Sequence, residues 1–270
     1  MNVRYFLIIL SLFILSPLFA EEKPASQAAD KVLLPAKEKL HLYLLIGQSN
    51  MAGRGVIEAQ DKEAHPRVLK FTKENTWAAG RAPLHFDKPI AGVGLGTSFA
   101  KAMSEADPEI VIGLIPCAVG GTPLSRWQKE GDLYRQAVVR TKAALQDGTL
   151  KGVLWHQGEN DAGTEETAKN YASRLSAMIG DLRKELGAGD VPIVMGELGE
   201  FLQRESKAGR PNYWPVVNEQ LHTIPKTVAK TAVVSSAGLK HKGDVVHFDS
   251  AGLREFGQRY AAAMKELQGK

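Results

Sequence analysis

The chain has 270 residues, 44% hydrophobic and 24% charged, the proportions of a globular protein rather than a disordered or fibrous one. Its 34 basic and 30 acidic side chains leave a formal charge of +4, too small and too evenly spread to mark a nucleic-acid-binding surface. A single cysteine, Cys117, excludes an internal disulfide framework, and no histidine–acid spacing of the zinc-motif type occurs; neither a metal nor another cofactor is expected.

In chain order, residues 1–20 carry Arg4, an apolar run from Tyr5 to Leu15, then Ser16, Pro17 and the small Ala20 ahead of Glu21. That is the layout of a secretory signal peptide, and the run is short for a membrane span of about 20 residues. Export, with cleavage near Ala20 and no lasting membrane association, is the expectation; an uncleaved anchor helix is the alternative. Residues 21–37, rich in Ala, Lys, Glu and Pro without a period, read as a tether the fold does not need. One domain is expected from 38 to 270.

Within that domain, apolar runs at 41–47, 67–72, 109–117, 152–157, 191–198 and 231–238 alternate with amphipathic segments at 97–106, 132–146, 165–187, 213–224 and 250–268. Most of the apolar runs are continuous, as in strands covered on both faces. In the last helical segment Leu253, Phe256, Tyr260, Ala263 and Met264 share one face, with Asp249 or Ser250 able to cap its start. The alternation predicts an α/β fold with helices on both faces of a mainly parallel sheet of five or six strands.

In such folds ligands gather at the carboxyl ends of the strands, and four polar motifs fall there. The first is "GQSN", which delivers Ser49 as the first strand ends. A serine hydroxyl needs a base to become a nucleophile. Near the other end of the chain, "GDVVHFD" places Asp244 three residues before His247. In a turn that spacing lets the carboxylate reach one ring nitrogen and leaves the other free for a serine. Gly120 and Gly121, in "AVGGT", offer backbone N–H groups without an intervening Cβ. Gln157 and Asn160, in "HQGEND", offer side-chain amides; such donors together with the Ser49 N–H would make an oxyanion hole. Taken singly, each motif has a bland reading as a loop serine, a solvated histidine or a tight turn.

"IGQSNMAG", "GGT", "WHQGEND" and "DVVHFD", in that order over nearly the whole chain from Leu40, resemble the blocks of the SGNH (GDSL-like) hydrolase superfamily. Within it the chain is similar to the sialate O-acetylesterase-like branch, carbohydrate esterase family 6, which includes acetylxylan esterases. The resemblance implies a three-layer α/β/α sandwich with a flavodoxin-like sheet, and a serine esterase acting on acetylated carbohydrates. It implies Ser49 as nucleophile, His247 as base and Asp244 as its partner. The oxyanion hole would use Ser49, Gly120 or Gly121, and either Gln157 or Asn160, a choice left open. Glu159 is read as a brace for the Ser49 loop, with a role as the triad's acid as the alternative, and Gln48 and Asn50 are expected to hold the turn rather than touch the ester. Arg54, Trp127, His156 and Glu197 are candidate substrate contacts. A non-catalytic carbohydrate-binding protein and an acetyltransferase using the same triad are the rival functions.

Overall fold

The computed structural model describes residue 1, residues 32–202 and residues 211–269. The rest of the expected signal peptide, the tether up to residue 31 and part of the loop at 200–212 lie outside the described residues. Each apolar run becomes a strand: β1 (Leu40–Gly47), β2 (Val68–Phe71), β4 (Val111–Pro116), β5 (Thr149–His156), β6 (Ile193–Gly196) and β7 (Thr231–Val234). A further strand, β3 (Trp77–Ala79), pairs antiparallel with β2, so the sheet has seven strands and not five or six. Three residues are too few to show a strand period. What fixes β3 is a tight hairpin in which Asn75 takes φ 58° and Trp77 packs 4.9 Å from Phe71.

The strand order is β3-β2-β4-β1-β5-β6-β7, with every pair other than β2–β3 parallel. From β1 the chain runs to β2 and the edge strand β3, returns to β4 between β2 and β1, and then crosses β1 to continue the other way through β5, β6 and β7. β1 therefore lies at the point where strand order reverses, and the crevice beyond its carboxyl end is where such sheets bind ligands.

The helices are α1 (Ser49–Ala52), α2 (Ala59–Lys62), α3 (Gly96–Glu105), α4 (Asp132–Ala144), α5 (Glu165–Lys169), α6 (Tyr171–Glu185), α7 (Trp214–Thr223) and α8 (Ser250–Leu267). The sheet separates two cores because successive strand residues point to opposite faces. Leu40, Leu42, Leu44 and Ile46 of β1 join the cluster built from α4, α6 and α7. Tyr43 and Leu45 join the cluster of α3 and α8, where Phe99, Leu253, Phe256, Tyr260 and Met264 are fully buried. Each such side chain contributes about 1.5–3 kcal/mol on burial, which explains why the α8 stripe is readable in the sequence. Asp249 is its N-cap, accepting from the Gly252 N–H at 2.6 Å, while the Ser250 hydroxyl donates to the Val56 carbonyl at 2.7 Å.

Two expectations need correcting here. The helix expected over 165–187 is two helices, broken at Asn170, which has φ −97° and ψ 13°. Thr164 caps the first of them through the Thr167 N–H. The expected tether also reaches into the fold, since Val32 and Leu34 pack against the core. Among the described residues, no helix is long and apolar enough to cross a membrane.

Candidate active site

β1 ends where it meets the end of β5. Gly47 has φ +134°, and a Cβ on it would collide with the His156 carbonyl, so only glycine lets the two backbones approach this closely. The Gln48 N–H donates to that same carbonyl at 2.9 Å, and the Val119 N–H donates to Gly47 O at 3.0 Å. The carboxyl ends of β1, β4 and β5 are thereby joined. The chain then turns into α1, with the Met51 and Ala52 N–H groups on Gln48 O. Ser49 is the first residue of that turn, a position whose N–H has no partner within the turn.

The Ser49 hydroxyl lies 3.0 Å from His247 Nε2, and His247 Nδ1 lies 2.7 Å from Asp244 Oδ2. Asp244 Oδ1 accepts from the His247 and Val246 N–H groups at 2.8 and 3.0 Å. Burial opposes the Asp244 charge. The His247 N–H and ring and the Val246 N–H outweigh it, and hold the carboxyl far below the usual carboxylate range. An ionised Asp244 can only accept, so Nδ1 carries the proton and Nε2 presents a lone pair to the serine hydroxyl. Within the D-x-x-H turn Val245 sits at φ 54°, a strained conformation for a β-branched residue. His241 supports that turn rather than the chemistry, its Nδ1 accepting from the Gly243 and Val245 N–H groups.

The expected oxyanion donors differ in availability. The Gly120 N–H is not free, because it donates to Asp87 Oδ2 at 2.9 Å. Gly120 is nevertheless beside the nucleophile: a Cβ there would lie 3.4 Å from Ser49 Cβ and would collide with the Arg54 guanidinium. Gly121, at φ +78°, has open space around it, and its N–H meets no acceptor among the described residues. Gln157 is fully buried. Its Nε2 is surrounded by Gln48 Oε1, Thr122 O and Asp161 Oδ2 at 3.2, 3.0 and 2.7 Å, so this amide is already committed to the frame beneath the site. Asn160 is exposed and makes one long bond, 3.3 Å, to Gly121 O.

Three of the four candidate substrate contacts are turned away from solvent. Trp127 is a core residue, 1% exposed, bonded to Thr122 Oγ1 and edge-on to Trp155 at 5.8 Å. His156 is fully buried, with Nδ1 3.3 Å from the Tyr260 hydroxyl and Nε2 3.7 Å from Glu159. Arg54 forms a buried ion pair with Asp87 at 2.6 Å, their side chains 2% and 1% exposed. Glu197 spends its carboxylate on His222 Nε2 at 2.6 Å and the Ser236 N–H at 2.9 Å. Glu159 makes no bond to His247. Its Oε1 accepts from Asn50 Nδ2 at 2.6 Å, and although burial opposes its charge, His156 and Asn50 keep its carboxyl below the usual range.

Sequence reasoning misses Asp87 as a site residue, and gives Asn50 a place in the turn without its distant partners. Asp87 lies in "PLHFDKP", a stretch with no strand end or motif to mark it, and reaches Gly120 across 33 positions. Asn50 stands beside Ser49 and is a single residue with no period or partner visible in the sequence. A cavity of about 780 Å³ opens around Leu150, Pro192 and Lys230, where the strands begin, and so at the other end of the sheet from Ser49.

With this geometry in place, the comparisons with known proteins are consistent with one another. A family model described as "carbohydrate esterase, sialic acid-specific acetylesterase" matches residues 39–266. The chain is 30% identical over 264 residues to a protein of Arabidopsis thaliana named as a probable carbohydrate esterase, covering 90% of this chain and 94% of the relative. A solved Arabidopsis thaliana structure superposes with a TM-score of 0.75 at 28% identity, over 84% of this chain and 98% of that one. NanS superposes with a TM-score of 0.72 at 18% identity, over 87% and 99%, a likeness of fold.

Proposed function

The chain belongs to the carbohydrate esterase family of sialic acid-specific acetylesterases and is an ester hydrolase; on that premise we propose that it removes O-acetyl groups from carbohydrate hydroxyls through an acetyl-serine intermediate. The observation that carries this reading is the continuous hydrogen-bonded chain from Asp244 through His247 to Ser49, at the carboxyl end of the strand where the sheet order reverses.

In the proposed reaction His247 Nε2 takes the Ser49 hydroxyl proton as Oγ attacks the acetyl carbonyl carbon. The carbonyl π pair moves onto oxygen, and Asp244 stabilises the imidazolium. The donors left for that oxygen are the Ser49 N–H, the Gly121 N–H and the second N–H of the Asn160 amide, whose first is spent on Gly121 O; each well-placed donor is worth about 10²–10³ in rate. Collapse of the tetrahedral species breaks the bond to the sugar oxygen, which leaves with the proton from Nε2. Water then gives a proton to Nε2 as its oxygen attacks the acetyl-enzyme carbonyl, and collapse breaks the bond to Ser49 Oγ, which takes that proton back from Nε2 as the acetyl group leaves as acetic acid. No step calls for a metal or a cofactor.

Acetylated sialic acid is the substrate class in the family's description, acetylated xylan or a related acetyl sugar the class the sequence resemblance implies, and acetate release across a panel of acetylated glycans separates them. Export belongs to the same proposal and rests on the layout of residues 1–20 alone; a mature N-terminus following Ala20, read by mass spectrometry, tests it. For the chemistry, Ser49→Ala abolishes hydrolysis of 4-nitrophenyl acetate while circular dichroism and Tm stay those of the parent. A folded variant that keeps most of its activity rejects the mechanism.

A further inference from the structure

Asn50 adjoins the nucleophile in the chain and is 1% exposed. Both of its amide hydrogens and its carbonyl oxygen are engaged by distant residues. Nδ2 donates to Glu159 Oε1 at 2.6 Å and to the Val246 carbonyl at 3.2 Å, and Oδ1 accepts from the Phe248 N–H at 3.1 Å. Val246 and Phe248 are the two neighbours of His247. The peptide groups on both sides of the imidazole therefore hang on a side chain whose backbone is continuous with that of Ser49.

The loop has reason to need such a tie. Gly243, Asp244 and Val246 are exposed, and Val245 at φ 54° holds a conformation strained for a β-branched residue. Its bonds from the Lys242 N–H to His247 O and from the Val246 and His247 N–H groups to Asp244 Oδ1 are internal, and do not fix the ring relative to Ser49. Asn50 does fix it, because Ser49 and Asn50 share one rigid helical turn.

Glu159 sets which way the amide faces. A carboxylate only accepts, so Oε1 must receive Nδ2, which leaves Oδ1 for the Phe248 N–H. His247 Nδ1 is already taken by Asp244, so Glu159 reaches the base only through Asn50. We propose that Asn50 is a positioning residue that clamps His247 onto Ser49, with Glu159 as the anchor that orients it. This rests on the esterase reading above.

Steady-state hydrolysis of 4-nitrophenyl acetate by the full chain tests it, with kcat expressed per folded molecule and Tm recorded for each variant. Asn50→Ala lowers kcat about 10²-fold, the scale of a misplacement of about 1 Å, while KM changes little. Asn50→Asp loses at least as much, because two carboxylates then face each other in place of the amide–carboxylate bond. Combining it with Glu159→Gln restores a donor–acceptor pair of reversed polarity and keeps an acceptor for the Phe248 N–H, while the Val246 carbonyl still lacks its donor, so the double variant recovers about tenfold over Asn50→Asp and stays below the parent, as expected for a partly restored positioning contact. Wild-type kcat in Asn50→Ala beside an inactive Ser49→Ala overturns the clamp and leaves the esterase reading standing. An active Ser49→Ala overturns the esterase reading itself. Should Asn50→Ala not fold, the polarity swap decides alone: no recovery in the double variant overturns the clamp.

Discussion

Replacing Asp87 by alanine isolates a buried charge directly under the candidate site. Asp87 bonds Arg54 at 2.6 and 3.4 Å and accepts the Gly120 N–H at 2.9 Å. Both side chains of the pair are almost fully buried, at 2% and 1% exposure, so water does not replace the lost carboxylate. Arg54 keeps one neutral acceptor, Gly53 O at 2.7 Å. Deleting one partner of such a pair costs about 3–5 kcal/mol, and the orphaned Gly120 N–H adds about 1 kcal/mol or more. At about 2–4 °C per kcal/mol for a chain of this size, a loss near 4 kcal/mol lowers Tm by about 8–16 °C. Differential scanning calorimetry at pH 7 gives the number, with urea unfolding as the second measurement. The double variant Arg54→Met/Asp87→Leu removes both charges and should regain most of the loss, since a hydrophobic pair of similar volume often matches a buried ion pair. A fall of less than about 2 °C for Asp87→Ala, at most about 1 kcal/mol on this scale, would show that the guanidinium escapes to solvent at little cost and that the pair does not hold the Gly120 loop.

The remaining predictions concern acid stability and the strand end. Burial pushes His85 down to about 4 from 6.5, so the unfolded chain takes up this proton before the folded one does. The stability it confers is full above about 6.5 and is lost as pH falls through about 4, in total roughly 3 kcal/mol. Urea midpoints at pH 7 and pH 4.5 should diverge in the parent and draw together in His85→Leu; parallel behaviour of the two proteins would reject the assignment. Gly47→Ala puts a Cβ against the His156 carbonyl at φ +134°, a backbone cost of about 1–3 kcal/mol before the collision is counted. The variant should lose both Tm and esterase activity, and wild-type values for both would show that β1 and β5 can separate at no cost.

Much of the architecture follows from local patterns. Leu40 to Ile46 is apolar at nearly every position because both faces of β1 are covered, and the α8 stripe runs at helical spacing because a single face is buried. The Asp244–His247 contact spans three residues and is local too, which is why it can be anticipated. The β3 hairpin and the break at Asn170 are not legible, since each turns on the backbone angles of single residues.

The availability of polar groups belongs to another class of question. Gly120 and Gly121 read alike as letters, yet a carboxylate 33 positions away occupies the N–H of one and leaves that of the other. Gln157 and Asn160 are equal candidates in "HQGEND", but Asp161, Gln48 and Thr122 enclose only the first. Trp127 and His156 look like sugar contacts until the sheet and its helices close over them. The sequence by itself determined the α/β alternation, the serine at a strand end and the acid–histidine turn, because periodicity and short-range reach are written in spacing. Only the tertiary structure decided which donors stay free, which aromatic residues are core and what holds His247 against Ser49. A donor or acceptor has finite capacity, and the group that consumes it is set by proximity in space.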